Sequence, residues 1–391
     1  MGSLQELPDP PSDALTSLRW SHDGNSLLVG SWGKDVRVYR RNAEDRNTFS
    51  LQHKVTTEYP RLDVCWGKPG SNVGYAVGVE RDVRQFDFDA GTQSVLSSHD
   101  EPSNKVDYSP DHNVLISTSW DGTMHVHDPD SGRFISVRLA AKPLALSLTA
   151  ERVVVAMVER KVSIYDLKAL RTLLDQTGNT AEHDDHLEIQ PWQERDSSLK
   201  FMTRAVACMP DGTGFVTSSI EGRVGVEWFN PETDGEAYAF KCHRQVHHLP
   251  TPEGGEEEVD VVYPVNALAF HPTFGTFATG GGDGGVALWD AKTKRRVRVY
   301  QNLEASVAAL DISPDGKSLA IAISPGFEES KFNKAKEEGR AVNREDGTAD
   351  PKEYFEQLDS SRVKIVVREF AEGEAKAKPK EKKAKGEKKE G

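Results

Sequence analysis

Cysteine is nearly absent from this chain: Cys65, Cys208 and Cys242 are the only three in 391 residues. So sparse and odd a set, each member in or beside an apolar run, excludes a disulfide framework. It fits a reducing compartment, where a free thiol packs as a small hydrophobe. No run of 18 apolar residues occurs, so no segment reads as a membrane-spanning helix. The opening MGSLQELPDPPSD has no basic region ahead of an apolar core, and its sixth residue is Glu rather than Ser or Thr. Neither a signal peptide nor a myristoylation start is expected, and an intracellular, soluble protein is. Positive charge is also in deficit, with 49 Lys plus Arg against 62 Asp plus Glu and a net charge of −13. Such a chain repels phosphate backbones and anionic lipid, so neither nucleic acid nor membrane is expected as a partner.

Catalytic motifs are missing as well. G-x-S-x-G, H-E-x-x-H and G-x-x-x-x-G-K are not found, so no enzyme and no cofactor are expected. The glycine-rich Gly280 to Gly285 leads into a strand pattern rather than a helix and lacks the phosphate-cradling helix N-terminus. Cys242, His243, His247 and His248 have ligand chemistry but no second paired motif, and are expected to be structural or surface residues rather than a zinc site. His183-Asp184-Asp185-His186 reads as a solvated loop.

What is present is a repeat. An apolar strand, a polar turn, a second strand ending in small residues, a tight turn and a third strand closing on a large residue recur along the chain. Copies lie near residues 14–40, 61–89, 105–128, 143–167, 203–229 and 264–290, and a seventh starts at Ser306 and finishes with RVKIVVREF at 362–370. The closing positions fall at Tyr39, Phe86, His127, Tyr165, Glu227 and Trp289, and Asp35, Asp121 and Asp283 occupy the second turn. Spacings of about 40 residues match the WD-repeat period. The expected fold is all-β: a single seven-bladed β-propeller over residues 5–370, its sheet edges protected by radial stacking. The stretch before Ala14 should supply the outer strand of the last blade. Thr172 to Arg195 reads as a polar loop and Glu253 to Asp260 as an acidic one. Residues 325–361 read as an insertion in the last blade, with short helix near KFNKAKEEG. Residues 371–391 carry eight Lys and five Glu, leaving about −16 on the rest; they read as a disordered tail, a fungal-style extension or a solubilising one.

Against that acidity, Lys200, Arg204, Arg223, Lys241 and Arg244 cluster in and around the fifth copy. Arg223 lies in its tight turn, and Trp32 and Trp120 precede the equivalent turns of copies one and three. Exposed aromatics near Arg have interface composition, and Arg forks match carboxylate and phosphate oxygens. The tryptophans also admit the plainer reading of packing on neighbouring loops.

SSLKFMTRAVA, SSIEGRVGVEW, YAFKCHR and YPVNALAFHPTFGTFATGGGDG closely resemble the mitotic checkpoint WD-repeat family known as the third member of the "budding uninhibited by benzimidazole" group. The resemblance covers copies one to six. It implies a non-enzymatic adaptor that is nuclear, also cytoplasmic, and at kinetochores in mitosis, a monomeric propeller within a heteromeric complex. Its implied partners are a Bub-type checkpoint kinase and its Mad-type or BubR-type relative, bound through Glu-containing GLEBS motifs, and a kinetochore scaffold bound through phosphorylated Met-Glu-Leu-Thr repeats. Carried over by motif, Arg204, Arg223, Trp32 and Trp120 would hold the GLEBS peptide, and Lys241 and Arg244 the phosphothreonine. A basic residue that some members place in the first turn of blade six is matched here by Gly275. The alternative is the sister Rae-type messenger-RNA export propeller, which shares IEGRV and FKCHR; Glu227, where the sister tends to carry His, and the Ser-Ser before Leu199 favour the checkpoint family.

Overall fold

The computed structural model describes residues 4–46, 48–177, 186–250, 255–300, 303–326 and 360–377. Within them lie seven four-stranded antiparallel sheets and one two-stranded hairpin. The innermost strands, one per blade, are Leu15–Trp20, Arg61–Trp66, Ser103–Ser109, Pro143–Leu148, Thr203–Cys208, Val265–Phe270 and Val307–Ile312. Each packs on the next, and the seventh packs on the first, so the ring closes. The second strands, such as Val114–Ser119 and Gly214–Ser219, are buried on both faces, because each sheet is covered on either side by a neighbouring blade. Outer strands face water: Thr92–Ser98 is mostly exposed.

Closure is made by both ends of the chain. Leu4–Glu6 pairs antiparallel with Val366–Arg368, so the N-terminal strand is the outer strand of blade 7. Leu7 follows at 2% exposure, in a cluster with Leu15, Trp20, Ile365 and Val367. The first-copy Asp35 is used locally: it accepts from Ser31 Oγ at 2.9 Å and pairs with Arg37 at 2.7 Å. Arg37 and the Tyr39 hydroxyl both donate to the carbonyl of Asp9, tying the entering chain to blade 1.

Behind the turns of blades 3 and 6 lie buried polar networks. In blade 6, His243 bonds Asp283 through Nδ1 and Thr279 through Nε2, both at 2.8 Å, and Trp289 Nε1 donates to the same Thr279 oxygen at 3.0 Å. In blade 3, His99 bonds Thr123 and Ser117, and His127 takes the place of the tryptophan with a 3.1 Å bond to Ser117. His125 stacks on His99 with ring centroids 3.6 Å apart. Blade 2 uses a different solution, a buried Arg61–Glu80 ion pair that Arg84 joins at 2.9 Å.

Three expectations are corrected. Thr172 to Arg195 is not simply a loop. Leu167–Thr177 is a helix whose Leu167, Leu170 and Leu174 recur at helical spacing and pack on the apolar seam of blades 3 and 4. Beyond it, Leu187 bridges in parallel to Val137, extending blade 3, and Gln193–Asp196 is the outer strand of blade 4. The acidic stretch before Asp260 is half of a hairpin: Arg244–Pro250 pairs with Glu256–Val262, since valines alternate with its acids from Val259 on. The segment expected to be a disordered tail begins with seven described residues, 371–377, in which Glu374 and Ala375 are buried. His183 to Asp185, residues 327–359 of the blade 7 insertion and residues 378–391 lie outside the described residues.

Two stability predictions follow from the closure and the histidines. Leu7→Ala should cost about 2–5 kcal/mol in urea unfolding; a change within error would mean the N-terminal strand does not hold the ring. Burial, and then the neighbouring imidazoles, hold His125 well below its ordinary range; burial and His99 lower His127 to about 3, and burial dominates the downward shift of His99. The unfolded chain, with histidine near pH 6.5, therefore binds more protons, and stability falls as pH drops below about 6.5. Asp107 and Asp311, pushed up to about 6 by burial against the pull of Arg19, act in the opposite sense at lower pH. The diagnostic is thus a difference: His125→Phe should lose less stability than the parent between pH 7 and pH 5.5, and parallel profiles would contradict the assignment.

Candidate functional site

All seven innermost strands carry a register shift at their second residue, seen in blade 5 between Thr203 and Ala205 and in blade 6 between Val265 and Ala267. The residues set off by these bulges are Thr16, Leu62, Asn104, Leu144, Arg204, Asn266 and Ala308. A bulge re-aims its side chain, and here several turn to the adjacent blade. Thr16 donates to the Arg61 carbonyl at 2.7 Å, Asn104 to that of Pro143 at 2.9 Å and Asn266 to that of Val307 at 3.2 Å. Arg204 is the one charged member of this ring. It is exposed, reaches Asn266 Oδ1 at 3.1 Å, and lines the mouth of the central channel with Thr16, Lys105 and Asn266. Deeper in the channel, Arg19 has Asp63, Asp107 and Asp311 around it; their charges raise its pKa against the opposing effect of burial.

Of the other four cations, Arg223, Lys241 and Arg244 form a separate group around the tight turn of blade 5, and Lys200 is exposed on the chain entering that blade. Arg223 opens the third strand, and its Cα partner across the sheet is Lys241, the last residue of the outer strand. Arg223 Nε lies 3.5 Å from the Glu221 carboxylate, and Arg244 Nη2 donates to the Glu221 carbonyl at 3.0 Å. The Nε atoms of Arg223 and Arg244 are both buried without a hydrogen-bond partner among the described residues. Gly222 makes the turn possible. Its φ is +63°, and a Cβ there would meet the Cys242 carbonyl at 2.7 Å. The turn is thereby pressed against the chain leaving the blade, which puts Arg244 beside it. Exposed apolar side chains border the group: Ile220 in the turn, Phe201 and Met202 on the entering chain and Val262 at the foot of the hairpin.

The structure thus brings Arg223, Lys241 and Arg244 together and sets Arg204 at the same end of the same blade, over the channel. It does not bring the tryptophans to them. Trp32, 40% exposed, belongs to the turn of blade 1, and Trp120, half-buried, to that of blade 3. Each shares the rim with the cations but sits on a different blade, with blade 4 between Trp120 and the cations and blades 6 and 7 between them and Trp32. Gly275 is in the turn between the first and second strands of blade 6, at the opposite end of the propeller, with φ +65°. It is not part of the rim, and a side chain there would not complete a pocket around Arg244.

Cys242 and His243 are accounted for structurally. Burial pushes the Cys242 thiol up to about 12, and both ring nitrogens of His243 are engaged with Asp283 and Thr279. His248 is exposed on the hairpin. Among the described residues no group of three or more His, Cys, Asp or Glu is placed to hold a metal ion. Sequence reasoning missed the bulge ring and the pairing of Lys241 across from Arg223; the only available signal was a polar residue at the second place of four of the seven inner strands, Thr16, Asn104, Arg204 and Asn266.

The ring of seven sheets with its histidine, hydroxyl and aspartate networks defines a WD-repeat β-propeller. A family model described as WD domain, G-beta repeat, matches residues 2–40, 91–128 and 262–290, which include the three turns that carry Asp35, Asp121 and Asp283. Among relatives, the mitotic checkpoint protein BUB3.1 of Arabidopsis thaliana is 39% identical over 90% of this chain and 96% of its own. The mitotic checkpoint protein bub3 of Dictyostelium discoideum is 32% identical over 84% of this chain and 91% of its own. The messenger-RNA export factor GLE2 of Chaetomium thermophilum is 30% identical over 82% of this chain and 83% of its own. The chain belongs to the Bub3 family of mitotic checkpoint WD-repeat proteins.

Like charges directly opposite on adjacent strands oppose folding. Replacing Lys241, across from Arg223, by Ala should therefore raise the melting temperature at low salt, with the gain shrinking as salt screens the repulsion. A lower melting temperature at every salt concentration would mean that Lys241 serves the fold rather than a ligand.

Proposed function

We propose that the protein is a non-enzymatic adaptor of the spindle assembly checkpoint, and that its blade 5 rim binds two acidic peptide elements. Arg204 and Arg223 pair with the glutamates of GLEBS motifs in a Bub-type kinase and its Mad-type or BubR-type relative, and Trp32 and Trp120 support the same peptide across the face. Lys241 and Arg244 receive the phosphothreonine of Met-Glu-Leu-Thr repeats on a kinetochore scaffold, which places the protein in the nucleus and at kinetochores. The observation that carries this reading is the convergence of Arg223, Lys241 and Arg244 on one turn, in a chain whose net charge is −13. Cations held this close together gain most from a doubly charged phosphate, which Lys241 and Arg244 would receive beside Arg223.

The second reading is an export-type propeller, favoured by the resemblance to GLE2. It ranks lower because an acidic body disfavours RNA, and because Glu227, the buried residue that separates the two families by resemblance, is satisfied here by Ser198 at 3.2 Å from both amide and hydroxyl.

Isothermal titration with a Met-Glu-Leu-phosphothreonine peptide and its unphosphorylated twin, with and without a GLEBS peptide, tests the proposal. Selective binding of the phosphorylated form is expected. Equal affinity for both forms, with GLEBS binding intact, would move the reading to the export-type sister. Arg223→Ala should weaken GLEBS binding by about 2–5 kcal/mol, the cost of unpairing a desolvated interfacial charge; unchanged affinity would refute its role.

A further inference from the structure

The chain does not leave the propeller after its last blade strand. Residues 371–377 turn back, with the Glu374 amide donating to the Ala371 carbonyl at 2.9 Å and Gly373 at φ +69°. This carries Glu374 and Ala375 into the seam between blades 6 and 7, at 7% and 2% exposure. One carboxylate oxygen of Glu374 accepts from the Tyr300 hydroxyl at 2.5 Å and from Arg368 Nη2 at 3.0 Å, with Arg298 Nη1 at 3.6 Å. The other accepts the Ala371 amide at 2.8 Å. Ala375 packs with Leu288, Leu319 and Val366, and its carbonyl accepts from Thr276 Oγ1 at 2.7 Å.

Apart from the Ala371 amide, which belongs to the segment itself, the receiving groups belong to the blades. Arg368 sits on the last blade strand with its guanidinium over the Tyr300 ring at 4.2 Å, an arrangement built from blade residues alone. An aromatic-backed guanidinium beside a phenol is a carboxylate receptor. Beside it the Ala375 methyl is buried among Leu288, Leu319 and Val366, so a larger side chain at that position would have to displace core side chains. Ring closure needs no buried charge at this point, because an apolar side chain would fill the seam at least as well. Capture of a carboxylate by a preformed socket is ligand recognition, and here the ligand is part of the chain.

We propose that the seam between blades 6 and 7 is a second peptide-binding site, separate from the blade 5 rim, that reads a glutamate followed by a small residue. In the resting chain it is occupied in cis by the Glu-Gly-Glu-Ala segment at residues 372–375. A tethered ligand has an effective concentration of about millimolar, so a free acidic peptide gains access only when the cis segment is released. Burial pushes the Glu374 carboxyl up, but the bonds from Tyr300, the Ala371 amide and Arg368 outweigh it and hold the group below its ordinary value, as expected for a bound anion.

The test uses the full chain with Glu374→Lys, which sets a cation against Arg298 and Arg368 and expels the segment, and with Glu374→Ala as the milder second variant. A fluorescent, end-blocked peptide with the sequence of residues 371–377 is titrated by anisotropy against both variants and the parent. Binding should be at least about tenfold tighter to each variant than to the parent, and a peptide with Gln in place of the second Glu should bind about tenfold more weakly, as the loss of a charged hydrogen-bonded pair requires. The unlabelled peptide should also raise the melting temperature of Glu374→Ala. Equal affinity for parent and variants would overturn the proposal. So would a folded Glu374→Ala protein that melts lower than the parent and neither binds the peptide nor is restored by it, since that is the behaviour of a purely structural latch.

Discussion

Radial closure is the constraint on which the rest depends. A four-stranded sheet of this composition cannot bury both faces of its second strand alone, and strands such as Val114–Ser119 are buried along their whole length. They become stable only when every blade has a neighbour on each side, which requires the seventh to meet the first. That contact is made by the inner strands Leu15–Trp20 and Val307–Ile312, and the chain locks it: Leu4–Glu6 pairs with Val366–Arg368 in blade 7, and Leu7 and the Asp9 carbonyl on Arg37 and Tyr39 tie the same segment to blade 1. The innermost strands add their own links: bulged side chains from Thr16, Asn104 and Asn266 each bond the first carbonyl of the next inner strand.

A ring held in this way lets its turns carry groups that oppose folding. Arg223 and Lys241 sit opposite each other, and the Nε atoms of Arg223 and Arg244 are buried without hydrogen-bond partners among the described residues. A flexible loop would swing these cations apart into water, but the Gly222 turn is pinned against Cys242 and cannot. Preorganised donors are what an anionic ligand pays least to use. The position of Arg204 follows from the same architecture, because the bulge that blades 1, 3 and 6 fill with a linking Thr or Asn here directs a guanidinium over the channel.

Much of this was legible from residue order. The seven repeats, their turn aspartates and the closing N-terminal strand all followed from an alternating apolar pattern of fixed period. The outer strands did not, because Thr92–Ser98 faces water and has almost no apolar signal. The helix Leu167–Thr177 was hidden where a loop reading began at Thr172, five residues into it. The polar networks were invisible because their histidines stand far from their partners in sequence: His99 is 18 residues from Ser117, and His243 is 36 from Thr279. Of the candidate site, the cations were legible because they run against the charge of their own chain. Their division into a turn cluster and a channel-mouth arginine was not, nor was the distance to Trp32 and Trp120, since residue order does not say how far apart blades 1, 3 and 5 hold their turns. Glu374 was lost in a segment whose composition resembles a solvated tail, because one buried carboxylate leaves no pattern.

The most direct test of the rim's role is the second ionisation of a bound phosphothreonine, followed by phosphorus NMR as pH is varied in the complex. Free, that proton leaves near pH 6. Seated between Lys241 and Arg244, the dianion is favoured, so the bound phosphate should titrate clearly lower, and Lys241→Ala should move it back toward the free value. A bound phosphate that titrates as it does in free peptide would show that these two cations do not hold it.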